Sequence, residues 1–318
     1  MEYSLNLHKQ LIDEKKVNEN TANAYIKTLI TLNGKKPFKN LSFLKKTEDI
    51  EKLVEPYADN TKRAMYASIV SVLSLMKDKS GFKKPFLFYS DKIKRKEEPE
   101  TTIKTERQQK QNWLSWAEIQ KVKEGLAVSP TSKTIDGTQY EKLLHYLVLA
   151  LYTDLPPRRN LDYLEMYIVK KYTDSLPKDK NYLDLATKHF FFCKYKTAKK
   201  YGTQSIAIPE QLWTIIQSYL KYHHLWKVVA NRKEPVKLLV NYDGSAINSI
   251  NSITRILHKI FGKTNKISSS ALRHIYITDK YGDELKEREN DALAMGHSLN
   301  QQKDYIKVDP QSNDITTG

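Results

Sequence analysis

The sequence predicts a mainly helical protein with a small antiparallel sheet, in the α+β class. Apolar residues recur at helical spacing through the first half of the chain, as at Met65, Ile69 and Val72. Between residues 187 and 209, aromatic and β-branched residues flank a lysine-rich tip, which is typical of two strands joined by a turn. With 318 residues, 40% of them hydrophobic, the chain is long enough for two domains that each bury a core.

The first domain is predicted at residues 1–90 as a bundle of about four helices. Asn20 and Asn60, each followed by threonine, are typical helix starts, and the stretch from Gly34 to Pro37 predicts a break between helices. Residues 91–112 are strongly polar and cannot bury a face, so they are predicted to form an interdomain linker.

The second domain is predicted at residues 113–318. It opens with Ser115 and Glu118 in the spacing of a capping box, which predicts a helix start, and a more apolar helix follows at residues 140–152. The hairpin comes next, with its turn at residues 199–202. Beyond it, helical patterns cover five segments: residues 210–223, 247–261, 270–281 and 287–295, and a short stretch around Tyr305.

The composition indicates a polyanionic partner. The chain has 53 Lys and Arg residues against 37 Asp and Glu, a net charge of +16. Double-stranded DNA or another nucleic acid is the first candidate, and a basic surface that only aids solubility is the alternative. The single cysteine, Cys193, suits a reducing, intracellular compartment, and neither a signal peptide nor a membrane span is indicated. The sequence has no glycine-rich phosphate loop and no Cys/His cluster, so no cofactor and no metal are expected.

The C-terminal region groups three residues suited to attack on a phosphodiester. The segments ALRHIYITDKYG (residues 271–282) and MGHSLNQQKDYIKVD (residues 295–309) contain Arg273, His297 and Tyr305. Breaking a DNA strand by transesterification requires a nucleophile, positive charge on the phosphate oxygens and an acid for the leaving oxygen. A phenol, a guanidinium and an imidazole supply the nucleophile, the charge and a hydrogen-bond donor.

These segments resemble the second motif box of the tyrosine recombinases, or phage integrase family, in which L-R-H is followed by G-H-S and a nucleophilic tyrosine. The resemblance implies that Tyr305 is the nucleophile, that Arg273 grips a phosphate oxygen through its planar fork, and that His297 donates a hydrogen bond to the phosphate. It also implies a 3′-phosphotyrosine intermediate, which conserves the energy of the broken linkage and needs neither ATP nor metal.

Two departures from the family pattern stand in this region. The 8 residues from His297 to Tyr305 are about one fewer than is typical, and Ser270 stands where the family has a histidine, three residues before Arg273. Serine can donate a hydrogen bond but cannot act as a base near neutral pH. His274 is the nearest spare imidazole, either with a direct role or as a core histidine that supports the helix.

The family's first box, a sequence like T-G-L-R-x-S-E-L, resembles LYTDLPPRRNLDYLEM at residues 151–166, with two prolines inserted. Arg158 and Arg159 compete for the catalytic role, and Arg158, if it is not catalytic, is expected to contact DNA. Arg159 is preferred because Asp162 follows three residues later, at the family's Arg-to-Glu interval, and Asp162 would orient the guanidinium or its helix. The double-proline variant is similar to integrases of large DNA viruses and their associated mobile elements.

The family's catalytic lysine lies on a β-hairpin, and Y-K-T-A is the best match here, which makes Lys196 the candidate general acid. Three neighbouring lysines would contact DNA: Lys194, Lys199 and Lys200. In the alternative, Lys196 also contacts only the DNA backbone.

The resemblance as a whole implies a helical core-binding domain and a tyrosine-recombinase catalytic domain that clamp duplex DNA. Four protomers acting on two duplexes are the family's expectation. The rival hypotheses are a type IB topoisomerase, which shares this chemistry but acts alone, and a DNA-binding protein of the same fold with impaired catalysis.

Overall fold

The computed structural model describes residues 2–76, 81–94, 113–128, 130–224, 235–262 and 265–305, with side chains as far as residue 302. The chain divides into two compact units, Met1–Ile103 and Lys104–Gly318, and each is considered by itself. The predicted linker falls mostly on residues 95–112, which lie outside the described residues. None of the described helices is both long enough and apolar enough to cross a bilayer.

The first unit is helical. Its helices are α1 (Glu2–Asp13), α2 (Glu19–Leu32), α3 (Thr47–Val54), α4 (Asp59–Leu73) and α5 (Lys83–Ile93), with a short 3-10 helix at Ser42–Lys45. The described part therefore has five α-helices where the sequence predicts about four. Helix α5 runs three residues into the predicted linker.

The helix starts in this unit differ from those predicted. Asn18, rather than Asn20, caps α2, because its side-chain oxygen accepts a hydrogen bond from the Thr21 amide at 2.9 Å. Helix α4 begins at Asp59 and has no side-chain cap. The predicted break after α2 is confirmed, since that helix ends at Leu32 and Gly34 follows in a left-handed conformation.

One apolar core stabilises this unit. Leu29, Ile69 and Val72 are fully buried in it, and all three lie on helix faces that the sequence periodicity predicts. Tyr89 of α5 is also fully buried, and its hydroxyl donates to the Leu44 carbonyl at 2.9 Å. This contact ties the last helix to the 3-10 turn and satisfies a polar atom that burial would otherwise leave unpaired.

The second unit is mainly helical with one small sheet. Its helices are α6 (Trp116–Gly125), α7 (Gly137–Thr153), α8 (Asn160–Leu164), α9 (Ala198–Tyr201), α10 (Glu210–Tyr222), α11 (Ile250–Phe261), α12 (Ser269–Ala294) and α13 (Leu299–Tyr305). Its strands are β1 (Met166–Val169), β2 (Asn181–Asp184), β3 (His189–Phe192), β4 (Gln204–Ala207) and β5 (Val236–Lys237). The capping box predicted at the start of α6 is confirmed, with both Ser115–Glu118 hydrogen bonds formed.

The predicted class, mainly helical with a small sheet, is confirmed, and the sheet is larger than the predicted hairpin. Its five strands lie in the order β4-β3-β2-β1-β5, and the pairing of β1 with β2 is parallel, so the sheet is mixed and not purely antiparallel as predicted. The predicted hairpin is β3 and β4, which pair antiparallel with Phe190 opposite Ile206. The short helix α9 lies in the connection that the sequence predicts as a simple turn.

Helix α7 lies at the centre of the second core. Its residues from Leu147 to Thr153 are all buried, so this half of the helix is covered on every side. Sheet residues Leu183, Phe190 and Phe192 belong to the same core. A helix that is apolar all round is typical of a buried central position, and its carboxyl end is therefore fixed within the unit.

Helix α12 differs from its prediction. The sequence predicts two helices, at residues 270–281 and 287–295, and the structure has one helix of 26 residues. No proline interrupts the segment, and Gly282 is tolerated in a helix interior at a cost of about 1 kcal/mol relative to alanine. At 1.5 Å per residue the helix is about 39 Å long.

Candidate active site

Helices α7 and α8 are joined by the segment Asp154–Arg159, here called the arginine turn because it carries both arginines of the first motif. Pro156 and Pro157 fix the backbone angle and donate no hydrogen bond, which stops α7 from continuing. At the start of the turn, Asp154 forms an ion pair with Lys123 of α6, and both side chains are only 5% exposed. The turn is thus anchored to a neighbouring helix where it begins.

Arg158 is held by two hydrogen bonds and two aromatic rings. Its Nε donates to Asp162 Oδ2 at 3.0 Å, and its Nη1 donates to Gln204 Oε1 at 3.0 Å. The guanidinium carbon lies 3.8 Å from the centre of the Phe192 ring and 5.2 Å from that of Tyr195. Ion pairing, hydrogen bonding and cation–π contact therefore fix this arginine between the turn and the hairpin.

The Asp162 carboxylate, which pairs with Arg158, is buried, with 3% of its side chain exposed. Burial raises the pKa of this carboxyl, while the charges of Arg158 and Arg159 act to lower it. The sequence interval predicts that Asp162 pairs with Arg159, but in the structure the side-chain hydrogen bond and the ion pair of Asp162 are with Arg158.

Arg159 is the residue immediately before α8 and is half-buried. Its side chain makes no hydrogen bond and no ion pair with the described part of the chain. Its guanidinium is close enough to Asp162 to lower the pKa of that carboxyl. The Arg158 guanidinium therefore binds other side chains of the protein, whereas the Arg159 guanidinium can bind a ligand.

The connection between β3 and β4 carries Lys196 and closes against the arginine turn. The Tyr195 hydroxyl donates to the Gly202 carbonyl at 2.8 Å, which closes the loop on itself. Gly202 has a φ of 68°, a conformation that favours glycine. Tyr195 and Gln204, at the two ends of the loop, both contact Arg158, so exposed Lys196 lies in a loop that the arginine turn fixes.

The three neighbouring lysines are exposed. Lys194 lies 3.5 Å from Glu165 in an ion pair, and Lys200 lies over the ring of Tyr201 at 5.0 Å. Lys199 belongs to the same short helix α9. They form a basic rim on the Lys196 loop.

Tyr152, at the carboxyl end of α7, connects the arginine turn with the second motif. Its hydroxyl donates to Asn160 Oδ1 at 2.7 Å, and Asn160 Nδ2 donates to Thr254 Oγ1 of α11 at 3.0 Å. Burial raises the pKa of the Tyr152 hydroxyl well above its ordinary value, the charge of Asp162 raises it further, and the charge of Arg273 lowers it. Asp162 of the first motif and Arg273 of the second are therefore both close enough to the Tyr152 hydroxyl to change its pKa.

Arg273 lies in the second turn of α12, whose start is capped by Ser268. Its Nε donates to the Ser269 carbonyl at 3.3 Å, and its side chain is half-buried. Ser270 and His274 are both exposed. His274 is therefore not a core histidine, and the direct role stays a prediction.

His297 lies away from Arg273 in this arrangement. The helix axis from Arg273 to Ala294 is about 30 Å long, and His297 follows the end of that helix. Its amide donates to the Ala292 carbonyl at 3.0 Å, and its Nδ1 lies 3.3 Å from the Ser298 carbonyl. The structure thus brings the first motif, the Lys196 loop and Arg273 together, and it does not bring His297 to them.

Tyr305 is the last residue of α13, and its side chain lies outside the described residues. Helix α13 packs on the second half of α12, where Arg288 Nε donates to Gln302 Oε1 at 3.2 Å and Gln302 Nε2 donates to the Arg288 carbonyl at 3.4 Å. The backbone that carries Tyr305 therefore lies beside the second half of α12, near Arg288.

Sequence reasoning missed the residues that hold the site in place. Gln204, Tyr152 and Asn160 contact the arginine turn or its helix, yet no spacing rule links them, because the contacts depend on the tertiary fold. Lys123 gave a weak signal, since a lysine that falls on the apolar face of an amphipathic helix is unusual. Among the described residues, no group of three His, Cys, Asp or Glu side chains could hold a metal.

Comparison with known proteins gives a limited result. No family model and no curated protein matches the chain. Among solved structures, the crystal structure of XerA recombinase aligns with 96% of this chain and 94% of its own, at 12% sequence identity and a TM-score of 0.36. Likeness at this level decides neither the fold nor the function.

Proposed function

We propose that the protein is a site-specific DNA recombinase that cuts and rejoins strands through a 3′-phosphotyrosine intermediate. The observation that carries the proposal is the convergence of three segments at the carboxyl end of α7. They are the arginine turn, the Lys196 loop and the first two turns of α12. Their charged residues are cationic apart from Asp154, which is buried and paired with Lys123, and the nearby Asp162 is paired with Arg158. A cluster of this kind suits a phosphate with developing negative charge.

The two arginines of the turn would have different tasks. Arg158 would be structural, because its guanidinium is already used by Asp162, Gln204 and two aromatic rings. Arg159, whose guanidinium makes no hydrogen bond within the described chain, would bind the phosphate together with Arg273. A guanidinium keeps its charge at any working pH and matches two phosphate oxygens at once.

Strand cleavage would proceed by in-line transfer. The Tyr305 oxygen forms a bond to phosphorus, and the bond from phosphorus to the 5′ oxygen breaks. The Lys196 ammonium gives its proton to the leaving oxygen, and water or His274 takes the proton from the tyrosine hydroxyl. His297 would donate a hydrogen bond to the phosphate, and Ser270, exposed on the first turn of α12, would add a second donor.

Duplex DNA would be the substrate, because the net charge of +16 favours a polyanion. Lys194, Lys199 and Lys200 would contact the DNA backbone beside Lys196. Recombination requires two duplexes, so the active assembly would be a tetramer of this chain on two DNA sites.

Covalent trapping tests the proposal. Wild-type protein and Tyr305→Phe are incubated with nicked duplexes that carry the sequence flanking the chain's own gene, and adducts are resolved under denaturing conditions. We expect a DNA-linked band from the wild type and none from Tyr305→Phe. Tyr281→Phe is the matched control, since Tyr281 is an exposed tyrosine of α12, and it should form the adduct normally.

A second function, DNA binding with impaired catalysis, is favoured by one observation. His297 lies beyond the end of α12, at least about 30 Å along the axis from Arg273. If wild type and Tyr305→Phe bind the same site equally tightly and neither forms an adduct, this second function replaces the first.

A further inference from the structure

The two halves of α12 have different surroundings. In the first half, Leu272 and Ile275 are buried, and the Tyr276 ring meets Trp116 of α6 edge-on with ring centres 5.4 Å apart. From Ile277 to Asp291 every residue is exposed except Gly282 and Arg288. Helices in proteins owe most of their stability to packing of an apolar face, and between Ile277 and Asp291 only the contacts of Arg288 with α13, among those of the described residues, supply packing of this kind.

Apolar side chains on this exposed helix lack a packing surface. Ile277, Tyr281 and Leu285 are 53%, 42% and 42% exposed and lie four residues apart, on one face of the helix. Leu293 and Met295, near the helix end, are 80% and 65% exposed. An arrangement that covered these side chains would be favoured by burial of their apolar area.

Gly282 lies between the two halves. Glycine is the weakest helix former after proline. A Cβ at this position would meet only the Thr278 methyl, at 3.5 Å, which is an ordinary contact. Neither packing nor a left-handed backbone requires glycine here, so its effect in the continuous helix is to weaken it.

The position of Gly282 along the helix is also significant. Arg273 lies nine residues before Gly282 and Asp291 lies nine residues after it. The helix before Gly282 is here called the first limb and the helix after it the second limb. Each of these nine-residue distances is about 14 Å along the helix axis. If the helix folded back at Gly282, Asp291 would lie level with Arg273. The residues just beyond Asp291, Leu293, Met295 and His297, would then reach the turn of α12 that carries Arg273.

We propose that Gly282 is a hinge, and that bending of α12 there converts an open form into the form that cuts DNA. The second limb, residues 283–294, folds back on the first limb of the same chain, covers the exposed side chains of Ile277 and Tyr281, and brings His297 and α13 to Arg273. DNA favours the bent form because its phosphate is bound from both limbs. This inference rests on the proposed function, and the continuous helix is the open form of that same site.

A distance measurement tests the hinge without relying on activity. Spin labels are placed on the full chain at Lys266→Cys and Asn300→Cys, which are exposed positions, with buried Cys193 changed to serine. The labels should lie about 40 Å apart in the continuous helix, and under about 25 Å in the bent form that DNA induces. A distance that stays long when DNA is bound would overturn the hinge.

Two substitutions at the hinge should act in opposite directions. Gly282→Ala should shift the population about fivefold towards the long distance, from the helix propensities of the two residues. Gly282→Pro should shift it towards the short one. The matched control is Gly125→Ala, at the end of α6, where an added Cβ meets nothing within 4 Å, and it should leave the distances unchanged. Equal distances in Gly282→Ala and the control would contradict the proposal.

Mixing variants separates a hinge within one chain from delivery to a second copy. Arg273→Ala and Tyr305→Phe are each expected to form no adduct, and their mixture should form none if the limb folds back on its own chain. An adduct from the mixture would overturn the hinge in favour of a neighbouring copy and leave the proposed function standing. An adduct from Tyr305→Phe alone would overturn the proposed function, whatever the distances show.

Discussion

The arginine turn and the second half of α12 are the two regions that would carry the chemistry, and they are built differently. The turn is fixed by the Lys123–Asp154 ion pair at its start and by the contacts of Arg158 at its end. The second half of α12 is exposed along most of its length and joins α13 through the contacts of Arg288 with Gln302. The same unit therefore has one rigidly packed part of the site and one lightly packed part.

Under the proposed function, this difference would divide the tasks of the site between the two regions. Charge that stabilises a transition state is most effective when its position is fixed before the substrate arrives, because no reorganisation is then needed during the reaction. A nucleophile that must join DNA and later release it can be carried on a segment with few contacts, since segments that move come from the less stable parts of a fold. The packing of the two regions agrees with this division.

Replacement of Arg158 should have the largest effect on the packed region. Arg158→Ala leaves the buried Asp162 carboxylate without its ion pair and removes the cation–π contact with Phe192, so we expect a loss of about 3–5 kcal/mol of stability. Arg159→Ala is the matched variant and should change stability by under about 0.5 kcal/mol while abolishing the covalent adduct. Urea denaturation and adduct trapping measure the two effects, and equal losses of stability would contradict the assignment.

The loss of stability in Arg158→Ala should depend on pH, and this dependence tests whether the unpaired Asp162 carboxylate causes the loss. Burial raises the pKa of Asp162, and removal of the Arg158 charge, which acts to lower it, should raise it further. A carboxyl with a raised folded pKa favours the folded state below its unfolded pKa, and this contribution is lost as pH rises through the folded pKa. The stability deficit of Arg158→Ala should therefore shrink as pH falls from 7 towards 4.

The control for this pH effect is Arg158→Ala combined with Asp162→Asn, which has no carboxyl to titrate. Its deficit relative to Asp162→Asn alone should show a weaker pH dependence than the deficit of Arg158→Ala relative to wild type. If the two deficits follow the same pH profile in urea denaturation, an uncompensated Asp162 charge is not the cause of the loss.

The sequence predicts elements of this fold well where the determining interactions are local. The capping box of α6 depends on Ser115 and Glu118 alone, and the hairpin of β3 and β4 depends on alternating side chains close in sequence. Helix α12 was predicted as two helices because residues 282–286 contain few apolar side chains, and that pattern does not decide whether an exposed helix continues.

The candidate site shows the same limit. The motif spacing identifies Arg158, Arg159 and Arg273 as candidates, but it does not show that Arg158 is bound by Gln204, 46 residues away, because that contact depends on the tertiary fold. The roles of Tyr305, His297 and Lys196 stay predictions. Their test depends on chemistry with DNA rather than on the packing of the chain.

The smallest effect is expected in the lightly packed region. Gln302→Ala removes both hydrogen bonds to Arg288, but the surrounding helix is exposed and water can replace the lost partners, so stability should fall by under about 0.5 kcal/mol. Hydrogen exchange should nevertheless become faster at the amides of α13, because that contact joins this helix to α12. Slow exchange in α13 together with a large loss of stability would show that the far half of α12 is packed as firmly as the arginine turn. The contrast between the two regions would then be wrong.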